Sequence, residues 1–176
     1  KAYDTALALK PNDARMHYNR GHAFMGLGRY DEARESLARA IVLQADFAEA
    51  HTALGECLLV QGEFHAGWQA YEWRWAARGF AAHGREFSRP RWRGDAAIAG
   101  KSLLLHGEQG FGDTIQFCRY AKMAAERGAK VILDVPSPLV SLIKTLGEFE
   151  VNATGTPLPD FDYHAPLLSL PLAFDN

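Results

Sequence analysis

The sequence predicts the α + α/β fold class, with a helical N-terminal part followed by a parallel βαβα unit. A period of 34 residues with helical apolar spacing organises the first half of the chain. After position 100, two short apolar runs of strand type, 102–106 and 129–135, flank a glycine-rich loop and a helical pattern. The composition, 48% hydrophobic and 23% charged over 176 residues, is typical of a globular protein.

Several residue types recur at the 34-residue interval, and the recurrence has a structural reason. The matched pairs are His17 with His51, Gly21 with Gly55, and Gly28 with Gly62. The first glycine of each repeat leaves room for two helices to pack closely, and the second tolerates the positive φ that ends a helix. Pro11 follows an apolar run in the place of an inter-repeat proline. This pattern resembles the tetratricopeptide repeat, and we expect a partial repeat at 1–13 and repeats at 14–47 and 48–78.

The resemblance implies a concave groove that takes a protein or peptide partner. In this family the first helix of each hairpin lines that groove. The matching positions here are Arg15, Tyr18, His22, Met25, Glu49, Thr52, Glu56 and Leu59. The lysine and asparagine combination that clamps a peptide carboxylate in some relatives is absent. A solvated face without a ligand is the alternative interpretation.

A basic linker is expected at 79–100. Positions 74–93 contain six arginines and one acid, Glu86, interleaved with aromatic residues such as Phe80. That mixture can stack on nucleic acid, but the chain carries a net charge of -2 and no nucleic-acid motif, so no nucleic-acid partner is expected. We expect Trp68, Trp73 and Trp92 to pack the helices against the second half of the chain, with the arginines solvated or paired with acids.

The α/β segment is predicted to form a strand, a glycine loop, a helix at 114–127, a second strand and a second helix. Ser137 is the predicted N-cap of the last helix, which ends near 146. Consecutive strands joined in this way lie parallel, and their carboxyl ends form the edge at which such sheets bind ligands. The loop "GEQGFGD" follows the first strand directly, so the sequence predicts that it lies at this edge.

Two interpretations of the glycine loop as a nucleotide-binding site match its residues only in part. The interval from Gly107 to Gly112 is that of a phosphate-binding P-loop, but Asp113 stands where that loop needs lysine. A dinucleotide site would use Gly110, Gly112 and the later Asp134, but its third glycine is missing.

A third interpretation comes from resemblance over the second half of the chain. "GEQGFGDTIQFCRY", with the later "LPDFDYHAPLLSLP", resembles bacterial tetratricopeptide proteins that end in a glycosyltransferase-like domain. More distantly, the segment is similar to heptosyltransferases of the GT-B fold, in which the first of two Rossmann-like domains holds the acceptor. The resemblance implies that 101–176 is the first part of such a domain, truncated and inactive alone.

The same resemblance implies roles for individual residues. Asp113 is the candidate general base that takes the proton of an acceptor hydroxyl, the acceptor being a sugar or a protein. The candidate substrate-binding residues are Glu108, Gln109, Gly110, Gly112, Gln116 and Arg119. The fragment needs no cofactor of its own, while the parent protein would use a nucleotide-sugar donor. The alternative is a non-catalytic tetratricopeptide scaffold for protein–protein interaction.

Asp113 also has a structural interpretation. It stands where a helix N-cap is expected, and Gln116 three residues later completes a capping-box pattern. A cap alone and a cap with a catalytic role both remain open. His106 and His164, near strand ends, are either structural hydrogen-bond partners or residues that reach the same cleft.

Other classes of protein are disfavoured. No run of 18 apolar residues indicates a membrane span, and no sequence motif indicates a metal site. Cys57 and Cys118 are expected to be buried thiols, which fits a cytoplasmic location.

Overall fold

The computed structural model describes residues 2–78 and 85–175, which fall into two compact units, Lys1–Gly84 and Arg85–Asn176. Positions 79–84 of the expected linker, including Phe80, lie outside the described residues. The first unit is helical and the second contains a four-stranded sheet. The α + α/β fold class is therefore confirmed.

The first unit is a series of helical hairpins. Its helices are α1 Ala2–Leu9, α2 Ala14–Gly26, α3 Tyr30–Leu43, α4 Ala48–Val60 and α5 Phe64–Tyr71, followed by a 3₁₀ turn at Glu72–Ala76. Helix α2 packs against α3, and α4 packs against α5. Two clusters of small and apolar residues fill the space between hairpins, Ala33, Leu37, Ala53 and Cys57 in one and Ala40, Phe47 and Ala50 in the other.

Close helix packing at the first glycine of each repeat is confirmed. A Cβ atom built on Gly21 would lie 2.6 Å from Cγ of Leu37. A Cβ atom on Gly55 would lie 2.6 Å from the backbone nitrogen of Tyr71, the residue equivalent to Leu37 in the next repeat. At Gly55 the neighbouring atoms belong to the backbone, so the packing there requires glycine, whereas at Gly21 the Leu37 side chain would have to move.

Helix ends in the first unit also follow the predicted pattern. Gly28 and Gly62 have φ angles of 69° and 83°, the left-handed conformation that glycine adopts without strain. At the start of α2, Oδ1 of Asp13 accepts a hydrogen bond from the backbone N–H of Met16 at 3.0 Å and caps the helix.

The repeated histidine makes the same contact in both repeats. A ring nitrogen, Nε2 of His17, lies 2.9 Å from the carbonyl oxygen of Pro11, six residues earlier. The equivalent Nε2 of His51 lies 2.9 Å from the carbonyl oxygen of Ala45. Each histidine thus ties the start of a first helix to the turn between repeats.

The second unit is built on a parallel four-stranded sheet. Its elements are β1 Ser102–His106, α6 Phe111–Phe117, α7 Tyr120–Glu126, β2 Lys130–Val135, α8 Val140–Ile143, β3 Glu150–Ala153, β4 Tyr163–Pro166 and α9 Leu170–Phe174. The strand order is β3-β2-β1-β4. The predicted parallel pairing of the first two strands is confirmed, and β3 and β4 extend the sheet on either side.

The predicted N-cap at Asp113 is wrong. The first helical hydrogen bond runs from the backbone N–H of Thr114 to the carbonyl of Gly110, so α6 begins at Phe111 and Gly110 is its N-cap. The hydroxyl of Thr114 also donates to that carbonyl, at 3.2 Å. Asp113 is therefore the third residue of the helix, and the capping box with Gln116 does not form.

The predicted helix after β2 is confirmed in place but differs in form. A 3₁₀ turn at Ser137–Leu139 leads into α8, and a second 3₁₀ turn ends at Leu146. Ser137 is the first residue of that turn, which Pro136 precedes, so its predicted role as N-cap is wrong.

Residues before β1 contribute to the second unit. Arg91 forms a parallel bridge with His164, and the backbone N–H of Trp92 donates to the His164 carbonyl at 2.8 Å. The Trp92 ring is buried and lies 5.2 Å from the ring of Phe174. Positions 85–100 of the stretch interpreted as a linker are thus part of this unit.

Two of the arginines at positions 74–93 are paired with acids. Arg74, only 1% exposed, donates to Oε1 of Glu72 at 2.8 Å. Arg85 donates to the carboxylate of Asp134. The bulky Trp73 ring stacks on His51 with 4.0 Å between centroids.

Among the described helices, none has the length and apolar character needed to cross a membrane. Within residues 2–78 and 85–175, no group of three or more histidine, cysteine or acidic side chains is arranged to hold a metal ion. Cys57 and Cys118 are both free and buried, as predicted.

Candidate functional site

The first candidate site is the face formed by α2 and α4. Arg15, His22 and Glu56 are exposed there, and Tyr18 is half-buried between them. The Tyr18 ring meets His22 edge-on at 4.7 Å and lies 5.0 Å from the ring of Phe47. These contacts fix an aromatic wall on the face that the repeat pattern assigned to a groove.

Other predicted groove residues have further contacts. Half-buried Met25 packs against the core, and Leu59 lies where it would meet a Cβ on Gly67 of α5. The Thr52 hydroxyl donates to the carbonyl of Ala48 in its own helix, at 2.9 Å. Oε1 of Glu49, at the start of α4, accepts from the backbone N–H of Arg78 at 3.4 Å.

Charges on this face influence one another. Burial and the carboxylate of Glu49 raise the pKa of the Tyr18 hydroxyl, with a smaller contribution from Glu56 and an opposing one from Arg15. Desolvation raises the pKa of Glu56, and His22 opposes that shift. The carboxylates of α4 therefore contribute to the electrostatic environment of the tyrosine on α2.

A shallow depression of about 410 Å³ continues this face toward α1. Its lining residues are Tyr3, Tyr18, Asn19, His22 and Ala23. The depression therefore combines two aromatic rings with amide and imidazole groups, a mixture suited to backbone and side-chain contacts with a peptide.

The second candidate site is the glycine loop at the carboxyl end of β1. The backbone N–H of Gly107 donates to the carbonyl of Asp134 at 3.1 Å, which fixes the loop to the end of β2. Asp113 is half-buried in the first turn of α6, and Glu108 and Gln109 are half-buried in the loop itself. The loop residues predicted from the motif therefore lie together at the carboxyl edge of the sheet.

The remaining predicted residues of this site lie along or beside α6. Gly110, Gly112, Gln116 and Arg119 are exposed. The guanidinium of Arg119 lies 5.1 Å from the centre of the Tyr120 ring and donates to the carbonyl of Gln116 at 3.2 Å. Arg119 thus has local partners that hold its side chain.

A buried carboxylate joins the ends of three segments beside the loop. Asp134, fully buried, accepts hydrogen bonds from Arg85, from Nδ2 of Asn152 at 3.1 Å and from the Thr154 hydroxyl at 3.1 Å. A dinucleotide site would need this carboxylate for a ribose hydroxyl. Because its oxygens are already occupied by three donors, the structure argues against that alternative.

Two histidines meet on the same face of the sheet. Nε2 of His106 lies 3.2 Å from Nδ1 of His164, and the Phe87 ring covers both at 4.8 and 4.5 Å between centroids. Burial lowers the pKa of His106 to about 3, with help from His164 and Arg85. Burial and Arg91 lower the pKa of His164 to about 4. Both rings are therefore neutral near pH 7.

Sequence reasoning named both histidines but not their pairing. His164 is paired with Leu104 in the register of β1 and β4, which puts its side chain on the same face as that of His106. No local pattern reveals which residues of two strands are opposite each other. A strand prediction for 163–166 would have been the first signal.

Three solved structures match parts of this chain. The second TPR of Spaghetti (RPAP3) bound to an HSP90 peptide is 24% identical, with a TM-score of 0.40, over 40% of this chain and 66% of that one. MamA is 30% identical, with a TM-score of 0.42, over 46% and 47%. An O-GlcNAc transferase mutant from Thermobaculum terrenum is 17% identical, with a TM-score of 0.43, over 86% and 36%.

Two curated proteins match in sequence. Protein FlbA of Caulobacter vibrioides is 31% identical over 118 residues, 65% of this chain. The small glutamine-rich tetratricopeptide repeat-containing protein 2 of Mycosarcoma maydis is 31% identical over 72 residues, 41% of this chain. The matched part spans 20% of the length of each relative.

The family model of the tetratricopeptide repeat matches residues 1–44 and 18–72. Those residues form the helical hairpins with the 34-residue period and the close glycine contacts described above. The N-terminal part of the chain is therefore an array of tetratricopeptide repeats.

Proposed function

We propose that the helical unit binds a protein partner, through an extended peptide segment laid along α2 and α4. The observation that carries the proposal is the joint exposure of Arg15, His22 and Glu56 around the fixed ring of Tyr18. Charged and aromatic groups on neighbouring helices supply the polar and apolar contacts that an extended peptide needs.

A random-peptide display selection against the protein tests this proposal. Peptides selected on the native protein should bind the double variant Arg15→Ala, His22→Ala about tenfold more weakly, as expected when central contacts are truncated. The matched control is Glu35→Ala, an exposed residue of α3, which should leave binding unchanged. Equal binding to the groove variant would contradict the proposal, as would failure to select any peptide.

We also propose that the second unit is the acceptor-side part of a sugar transferase with a Rossmann-like fold. The supporting observation is the position of the glycine loop at the carboxyl end of β1. The strand order reverses there, since β2 lies on one side of β1 and β4 on the other. Parallel sheets bind ligands in the crevice at such a reversal.

In this proposal Asp113 takes the proton of the acceptor hydroxyl as that oxygen attacks the anomeric carbon of the sugar donor, and the bond from that carbon to the nucleotide phosphate breaks, so that the nucleotide leaves. The side chain is half-buried beside the loop, where a carboxylate can still reach a bound hydroxyl. Glu108, Gln109 and Gln116 would orient the acceptor, with Gly110 and Gly112 allowing close approach and Arg119 contacting a charged group. The donor would be a nucleotide sugar.

The variant Asp113→Asn separates a chemical role from a structural one. Because Asp113 makes no capping hydrogen bond, we expect the melting temperature to stay within about 2 °C. Transfer by the natural full-length protein should fall by at least about a hundredfold if the carboxylate is the base. Unchanged turnover would remove Asp113 from the mechanism.

A thermal-shift screen with UDP-, GDP-, CMP- and ADP-sugars is the matching donor test on the full-length protein. One donor should raise the melting temperature in a concentration-dependent manner, because a ligand that binds only the folded state stabilises it. If no donor does so and the groove still binds peptides, the protein is a non-catalytic scaffold.

A further inference from the structure

The α4 side of the groove is acidic. Glu49 and Glu56 are seven residues apart on one helix face, and the helical rise separates them by about 10 Å. They are the repeat equivalents of Arg15 and His22 on α2. The two repeats thus present opposite electrostatic character at equivalent positions.

The acidic side faces the aromatic ring of Tyr18. Tyr18 is held by His22 at 4.7 Å and by Phe47 at 5.0 Å, so its ring has little freedom to turn away. The Tyr18 ring also packs against the core cluster that contains Cys57 of α4, the residue next to Glu56 in the sequence. A carboxylate beside an aromatic face is the combination that holds a cationic side chain.

Existing cations only partly offset the carboxylates. The guanidinium of Arg15 lies over the Phe47 ring, 5.6 Å from its centre, and Glu49 accepts from the backbone of Arg78. Among residues 2–78, none donates a hydrogen bond to the carboxylate of Glu56. Burial raises the pKa of the Glu56 carboxyl, and the neighbouring His22 opposes that shift.

We infer that the groove selects an extended segment carrying a lysine or arginine, whose cationic group docks between the Tyr18 ring and the Glu56 carboxylate. This inference rests on the proposed peptide-binding function of the helical unit. It specifies the partner chemistry by charge complementarity, because an acidic residue at the same position would face the Glu56 carboxylate. An acidic segment is therefore the contrary outcome of the test.

Two capped nonapeptides that differ only in charge provide the probe. One contains lysine at two positions in a glycine–alanine background, and the other contains glutamate at the same positions. Each is titrated into ¹⁵N-labelled protein while amide signals of α2 and α4 are followed by NMR. The lysine peptide should shift those signals and bind about three- to fivefold more tightly than the glutamate peptide, the range expected for one partly exposed ion pair.

Two charge-removing variants test whether the preference for the lysine peptide comes from Glu56. Glu56→Gln removes the charge but keeps the shape, and should lower affinity for the lysine peptide about three- to fivefold, to near that of the glutamate peptide. Glu35→Gln on α3 removes the same charge away from the groove and should have no effect.

The outcomes separate the two proposals. If both peptides shift the groove signals equally, and Glu56→Gln has no effect, the groove binds peptides but the charge preference is wrong. Tighter binding of the glutamate peptide would overturn the inference in the same way. If neither peptide perturbs the signals of α2 or α4 at millimolar concentration, the inference fails. The peptide display selection then determines whether the groove binds peptides at all.

Discussion

At the scale of single residues, Gly55 decides how closely α4 and α5 approach, whereas Gly26 has no such role. Gly55 has backbone atoms of Tyr71 and Gly67 at 2.6 and 2.9 Å from the position of a Cβ, so no side-chain rotation can make room. Gly26 lies at the exposed end of α2 with nothing within 4 Å of that position. The same substitution should therefore have opposite effects at the two sites.

We expect Gly55→Ala to lower the free energy of unfolding by about 2 kcal/mol or more, because the added methyl group forces α4 and α5 apart. Gly26→Ala should change it by less than about 1 kcal/mol, in the stabilising direction. Urea denaturation followed by circular dichroism measures both. Equal effects would mean that the helices do not pack as closely as the glycine contacts require.

The neutral histidine pair predicts a dependence of stability on pH. His106 titrates at 6.5 in the unfolded chain and at about 3 when folded, so the unfolded state binds more protons between those values. Its contribution is complete above pH 6.5 and is lost as the pH falls toward 3. Between about pH 7.5 and pH 5, His106 alone should account for a loss of about 2 kcal/mol in the free energy of unfolding.

Denaturation of His106→Gln at the two pH values tests this dependence. The variant should be less stable at neutral pH, but it should lose less stability on acidification than the native protein. If His106→Gln loses as much stability on acidification as the native protein, the ring is not held neutral by burial.

At the scale of secondary-structure elements, Asp134 connects β2, β3 and the segment that precedes β1. Arg85 reaches it from that segment, and Asn152 and Thr154 reach it from β3 and the residue after it. The carboxylate is fully buried, so its partners replace the water that an exposed carboxylate would have. The carboxyl edge of the sheet depends on this group.

Asp134→Ala should lower the free energy of unfolding by about 3 to 5 kcal/mol, because it leaves a guanidinium and two further donors without their acceptor. Glu126→Ala, at an exposed acid of α7, should change it by less than about 0.5 kcal/mol. Chemical denaturation of the two variants gives the comparison. A small loss for Asp134→Ala would show that water replaces the carboxylate at low cost.

The same elements show which features a sequence reveals. The glycines of the repeat were predictable because steric contact and positive φ are local requirements that repeat every 34 residues. The start of α6 was not, because Gly110 and Asp113 are competing N-caps three residues apart and the hydroxyl of Thr114 favours Gly110. The pairing of His106 with His164 depends on the register of two strands that are distant in sequence.

At the scale of the whole molecule, neighbours determine which elements open first. In the helical unit α1 packs chiefly against α2, and Leu9 near its end is 81% exposed. In the second unit β1 has strands on both sides, and its residues Leu103, Leu104 and Leu105 have no exposed surface. Local opening costs least where few buried contacts are lost.

Hydrogen exchange should therefore be fastest in α1 and slowest in β1. Among the described residues α1 buries only Leu7, whereas α4 buries six residues, so α1 opens with a smaller free energy than α4. Mass-spectrometric exchange over seconds to hours measures this order directly. The substitution Leu7→Ala, which truncates the buried side chain of α1, should accelerate exchange in that helix and leave the exchange rate of β1 unchanged. If α1 is protected as strongly as α4 in the native protein, neighbour contacts do not control the stability of the array.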